Sequence, residues 1–197
     1  MLNFSDINIS DTVNMSFQIL YNYWQEIRDG NSIPLKSDFN PMKIASILPE
    51  IAIMERIDDN KIIYRLAGTE LVKRAGVNLT GTNILNNFPT GIRKIINDAY
   101  LKSAEIPCAG HHKVIMLYED SPPNELECLY LPLNDNEGKI RFHIVLMFLT
   151  NKKTFKLKNP RKFIGYEIPA ICYFDIGFGC LDYETLPEHV ANITKPE

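Results

Sequence analysis

A chain of 197 residues is long enough for one domain with a core of ordinary size and an extension. Its 45% hydrophobic and 23% charged residues are those of a soluble globular protein. A net charge of -3 argues against nucleic acid as a partner, because phosphate binding needs a concentrated basic face.

The four cysteines, Cys108, Cys128, Cys172 and Cys180, form no C-x-x-C pair and no metal-ligand spacing, so buried thiols of a reducing compartment are expected and no metal site. The opening MLNFSDINISD lacks the basic start and apolar run of a signal peptide. The longest apolar run, Ile144 to Leu149, is far too short to cross a bilayer, so a cytoplasmic protein without a membrane partner is expected. Lys152, Lys153, Lys156, Lys158, Arg161 and Lys162 cluster, and a solvated linker accounts for them better than a membrane or nucleic-acid patch.

Along the chain, Val13, Phe17, Leu20, Trp24 and Ile27 recur at helical spacing and predict an amphipathic helix over 11–28, opened by Asp11 and ended by Asp29-Gly30. Its narrow aromatic stripe suits packing on the chain's own sheet or on a second copy. In the second case Phe17, Leu20 and Trp24 form a homodimer interface. Ser37 to Pro41 announces a short helix capped by Asn40 or Asp38, with Pro41 at its first position and Pro49 at its end. Ile51 to Ile57 reads as a strand, followed by an Asp58-Asp59-Asn60 turn.

The most informative stretch is KIIYRLAGTELVKRAGVNLTG, residues 61–81. Ile62, Tyr64 and Leu66 alternate with Ile63, Arg65 and Ala67, the period of a strand. Gly68 breaks it, Thr69 can cap a short helix, and Gly76 suits the left-handed residue that closes one. A longer helix over 90–105 carries Ile92, Ile95, Ile96, Ala99 and Tyr100 on one face. Strands follow near 111–119, 125–133 and 139–150, joined by a Pro-Pro loop and by the hairpin turn Asn134 to Gly138. This order predicts an α+β fold, a five-stranded antiparallel sheet with helices on one face. The segment FIGYEIPAICYFDIGFG is too apolar for disorder and predicts a partly ordered extension across the domain, loosening near Ile193.

The order of elements, and four pieces of sequence within it, resemble the stand-alone bacterial PAS proteins, largely alphaproteobacterial, that open with a W-x-x-[LI]-R helix. The pieces are Trp24-Gln25-Glu26-Ile27-Arg28; Asp38-Phe39-Asn40-Pro41 leading to Leu48-Pro49; Tyr64-Arg65-Leu66-Ala67-Gly68-Thr69 with Gly76 and Thr80-Gly81; and Tyr130-Leu131-Pro132-Leu133. The resemblance covers about residues 17–149 and divides the chain into an N-terminal helical cap (1–30), a PAS-like core (31–152) and an extension (153–197). It implies a sensory or regulatory domain in bacterial signalling and supplies no catalytic residues.

Candidate chemistry is sparse. His111 and His112 are adjacent, so on a strand they face opposite ways and cannot chelate one ion together. Each alone could be an axial haem ligand, but the helix over 90–105, where PAS haem ligands usually lie, contains no histidine. His143 alternates with Arg141 and is expected to be partly exposed. No cysteine-bearing flavin segment occurs, so haem and flavin are both argued against and the cofactor is unknown. No G-x-S-x-G, P-loop, H-E-x-x-H or dinucleotide-binding motif is present, and an enzyme is not expected.

A small-molecule ligand is the stronger reading. It would lie between the inner sheet face and the 90–105 helix, among Tyr64, Leu66, Ile92, Ile96, Tyr100, Met116 and Tyr130. The alternative is that these side chains fill the core and the domain is a ligand-free protein-interaction adaptor. Arg65 and Arg28 are expected to pair with carboxylates rather than hold an anion.

Overall fold

The computed structural model describes residues 11–30, 32–119, 121–150, 163–181, 184–185 and 192–194. The run of basic residues between 152 and 162 lies outside them. Strands β1 (Ile51–Asp58), β2 (Lys61–Ala67), β3 (Cys108–Tyr118), β4 (Asn124–Asn134) and β5 (Ile140–Leu149) fall where the period-2 alternation predicts them. They pair in the antiparallel order β2-β1-β5-β4-β3. The helices are α1 (Asp11–Glu26), α2 (Thr69–Ala75) and α3 (Thr90–Glu105).

The sheet separates two cores. On its inner face Met54, Tyr64, Val114, Cys128, Tyr130 and Val145 pack under α2 and α3. On its outer face Ile51, Ile53, Leu129, Leu131, Leu133 and Ile144 pack under α1. Thus α2 and α3 share one face and α1 takes the other. Phe17, Leu20 and Trp24 are fully buried there, against this chain's own strands. The homodimer interface expected of these three is corrected accordingly: their apolar surface is consumed within the protomer. The Trp24 indole Nε1 also donates to the Pro132 carbonyl at 2.8 Å, fixing α1 to β4.

Between α1 and β1, the expected short helix is split into single-turn 3₁₀ helices at Pro41–Ile44 and Leu48–Glu50. Asn40 Oδ1 caps the first by accepting from the Met42 amide. Pro49 lies inside the second turn rather than ending a helix. Nor does Thr69 cap α2; it is the first helical residue, and Gly68 occupies the cap position. Only glycine fits there, because a Cβ would stand 2.3 Å from the Pro49 carbonyl oxygen. Gly76, at φ +70°, closes α2 in the left-handed conformation.

The sheet does not stop at five strands. In the extension, β6 (Phe163–Glu167) pairs with Ile115–Tyr118 and β7 (Ala170–Asp175) with Cys108–His112, both on the free edge of β3. Two short strands, β8 (Glu184–Thr185) and β9 (Asn192–Thr194), add to β7 and β6. Ile193, expected in a loose tail, is thereby placed in β9.

Candidate functional site

The inner face of the sheet and the helices above it do not close completely. They leave between them a cavity of about 280 Å³ that is open at one side. Strand alternation decides its floor: His112, Val114 and Met116 point inward from β3, and Leu126 and Cys128 from β4. Ile96 and Tyr100 of α3 form the roof. Leu71, Arg74 and Ala75 of α2, with Leu79 and Phe88, surround the mouth. Tyr166 of β6 completes it, its hydroxyl donating to the Asn87 carbonyl at 3.0 Å and its ring 5.2 Å from that of Phe88.

Of the ligand-contact residues expected from sequence, Tyr64, Ile96, Tyr100 and Met116 line this cavity. Tyr130 lies one layer deeper, its ring 5.0 Å from that of Tyr100. Ile92 belongs to the same inner core but does not reach the cavity. Leu66 is corrected to the opposite face. Ile53 pairs with Leu66 while Met54 pairs with Tyr64, leaving Arg65 as the extra residue of a β-bulge. The bulge turns Leu66 onto the outer core and brings Ala67 inward.

Sequence reasoning missed His112 and Cys128 as wall residues, although both follow from the alternation that places Met116 and Tyr130. It also missed Arg74 and Tyr166. The first needs the docking of α2, and the second needs the pairing of β6, a strand of the extension, with β3.

The buried phenols, thiol and imidazole of the cavity lining are held uncharged. Burial pushes the Tyr64 and Tyr100 phenols and the Cys128 thiol well above their ordinary values. Burial, with His111 beside it, lowers His112 to about 3. His143 behaves likewise: burial, then Arg56, lowers it to about 3. The expected partial exposure of His143 is corrected. Arg141 is the unpaired residue of a second bulge, so its surface position says nothing about His143. The His143 imidazole is instead buried, 4.9 Å from the Tyr100 ring and 5.9 Å from that of Tyr130. Among the described residues, both its nitrogens, His112 Nδ1 and the Tyr130 hydroxyl find no hydrogen-bond partner.

His111 faces the other core, as strand geometry requires. Its Nε2 is 2.7 Å from Glu127, whose second oxygen is 3.0 Å from Lys113 Nζ, and the Phe17 ring meets the imidazole edge-on. Arg65 donates to Glu55 as expected. Arg28 departs from the expectation of an ion pair: it lies over the Trp24 ring at 5.0 Å and donates to the Ile176 carbonyl at 2.9 Å. Among the described residues, no three His, Cys, Asp or Glu side chains converge as metal ligands. No helix among them is long and apolar enough to cross a membrane.

The family model described as PAS domain matches residues 12–147, from the first turn of α1 almost to the end of β5. No curated protein and no solved structure matches the chain. The matched span contains every element of both cores up to β5, whereas Tyr166 and the rest of the extension lie beyond it. A five-strand antiparallel sheet with α2 and α3 over an inner cavity, read together with that match, places the chain in the PAS domain family.

Proposed function

We propose that this PAS domain is a sensory module of a signalling system whose input is a small molecule bound in the cavity beneath α2 and α3. The observation that carries the reading is the cavity itself. Protein cores are close-packed, and voids larger than a water molecule are few. Here about 280 Å³ lies open against Tyr64, Tyr100 and His112, groups able to orient a ligand by hydrogen bonds. Just behind them stand the Tyr130 hydroxyl and the His143 imidazole, which no described residue partners by a hydrogen bond. Such unsatisfied buried groups cost stability and persist where something other than stability requires them.

A ligand here touches Ile96 and Tyr100 on α3 and Tyr166 on β6 at once. Occupancy therefore favours one arrangement of the roof against the extension, and the output is a shift between two arrangements of those elements.

The test is native mass spectrometry of freshly purified protein beside its denatured mass, with a thermal-shift screen of the same sample against a metabolite set. Ala75→Trp, at the exposed mouth, serves as a plugged control that leaves the core untouched. We expect extra mass in the native spectrum, or a stabilising compound, in the wild type and neither in the plugged variant. A wild type and a plugged variant that behave identically in both measurements would overturn the sensor reading and leave the ligand-free adaptor.

A further inference from the structure

Among the described residues that line the cavity, Arg74 carries the one formal charge. That guanidinium is already engaged. One of its terminal nitrogens donates to the Glu50 carboxylate and the other to the Met147 carbonyl at 2.8 Å. The two side chains are 13% and 9% exposed, so the pair is shielded from water. Glu50 stands behind the wall rather than in it, on the 3₁₀ turn that approaches Gly68 too closely for any Cβ. Its position is therefore set by backbone packing.

An anion entering the cavity would have to compete with Glu50 for Arg74. It would also bring a second negative charge into a poorly hydrated space, where unpaired charge is costly. The floor offers no alternative cation, since burial keeps the His112 imidazole neutral. What the lining does offer is neutral hydrogen-bonding groups, among them the Tyr64 and Tyr100 hydroxyls and His112. Leu71, Leu79, Phe88, Val114 and Met116 supply apolar walls.

From this geometry we infer that the cavity selects uncharged, mainly apolar molecules bearing a hydroxyl or carbonyl group. Glu50 is the positioning residue that excludes anions, by holding Arg74 away from them. The inference rests on the ligand-binding reading above and deepens it.

A matched pair of probes tests it: 2-naphthol and 2-naphthoate share a ring system and differ in charge. Titration calorimetry of the full chain should show 2-naphthol binding at least tenfold tighter than 2-naphthoate, with both abolished by Ala75→Trp. In Glu50→Gln, Arg74 loses its counter-charge, and 2-naphthoate should gain tenfold or more while 2-naphthol changes less than threefold. The double variant Glu50→Gln/Arg74→Gln, which leaves neither charge unpaired, provides a second, independent test and should lose the gain in 2-naphthoate binding. Cavity binding in which the wild type prefers 2-naphthoate would overturn the ligand class. A folded Glu50→Gln protein without that gain would overturn the role of Glu50, as would a gain that persists in the double variant. No binding of either probe, or binding that Ala75→Trp leaves intact, would overturn the underlying reading instead.

Discussion

Gly110 and Tyr130 face each other across β3 and β4, and a Cβ on Gly110 would fall 2.0 Å from the end of the Tyr130 ring. The phenol therefore lies flat across the neighbouring strand, which is how so large a side chain fits at the bottom of the inner core. Gly110→Ala should cost about 1–3 kcal/mol by overpacking. Combining it with Tyr130→Leu should recover part of that loss, because the clash partner is gone. Urea titrations of the two single variants and the double variant check this, and additive losses would show that the two side chains do not compete for space. Tyr130→Phe argues the other way. Its hydroxyl is buried without a partner among the described residues, so deleting it should leave stability unchanged or raise it by up to about 1 kcal/mol. A loss of stability in Tyr130→Phe would mean that the hydroxyl is satisfied in solution.

At the scale of elements, the joint between α1 and the extension deserves a test because it lies partly outside the family match. Arg28, two residues beyond α1, lies between the rings of Trp24 and Phe178, 5.0 and 5.3 Å away, and donates to the Ile176 carbonyl. The turn it holds is itself ordered by Asp175 Oδ1, which accepts from the amides of Gly177, Phe178 and Gly179. Replacing Arg28 by alanine removes two cation–π contacts and the hydrogen bonds to the Ile176 and Ser32 carbonyls and the Gln25 amide oxygen, at a cost of about 1–2 kcal/mol. Amide exchange should quicken in residues 171–179 more than in β1 or β5. Uniform exchange across the sheet would show that the clamp is not local. Elements of this kind were only half legible. The period-2 runs of β1 to β5 and the 3.6-residue stripes of α1 and α3 are local, and they read directly. The destination of the α1 stripe is not local: the same Phe17, Leu20 and Trp24 suit a partner or a sheet, and only the fold chooses. Bulges at Arg65 and Arg141 defeat alternation because nothing in a strand's own sequence marks the extra residue, and so Leu66 and His143 were assigned to the wrong surroundings. Strands β6 and β7 were missed for a related reason, since their strand character comes from the free edge of β3.

For the molecule as a whole, the floor of the cavity has a consequence for acid stability. His112 and His143 are buried on the inner face and neutral, each with its folded pKa lowered from 6.5 to about 3 by loss of hydration. His111 acts further on the first and Arg56 on the second. In the unfolded chain both imidazoles protonate near pH 6.5, so between that pH and about 3 the unfolded state binds more protons than the folded one. Stability is then complete above about pH 6.5 and falls as the pH drops through the window. The loss approaches about 1.4 kcal/mol per pH unit for each histidine once the unfolded side chain is fully protonated. A pair of such groups makes the acid limb steep, and carboxylates such as Asp175, whose pKa is lowered by the Gly177, Gly179 and Phe178 amides, steepen it further at lower pH. His143→Phe keeps an aromatic ring against Tyr100 while removing one of the two titrations. Its unfolding free energy, from urea curves between pH 7 and pH 4.5, should therefore decline about one proton's worth less steeply than that of the wild type. Parallel pH profiles for the two proteins would mean that His143 already takes up its proton in the folded state, and hence that water or a bound molecule reaches the imidazole from the cavity side.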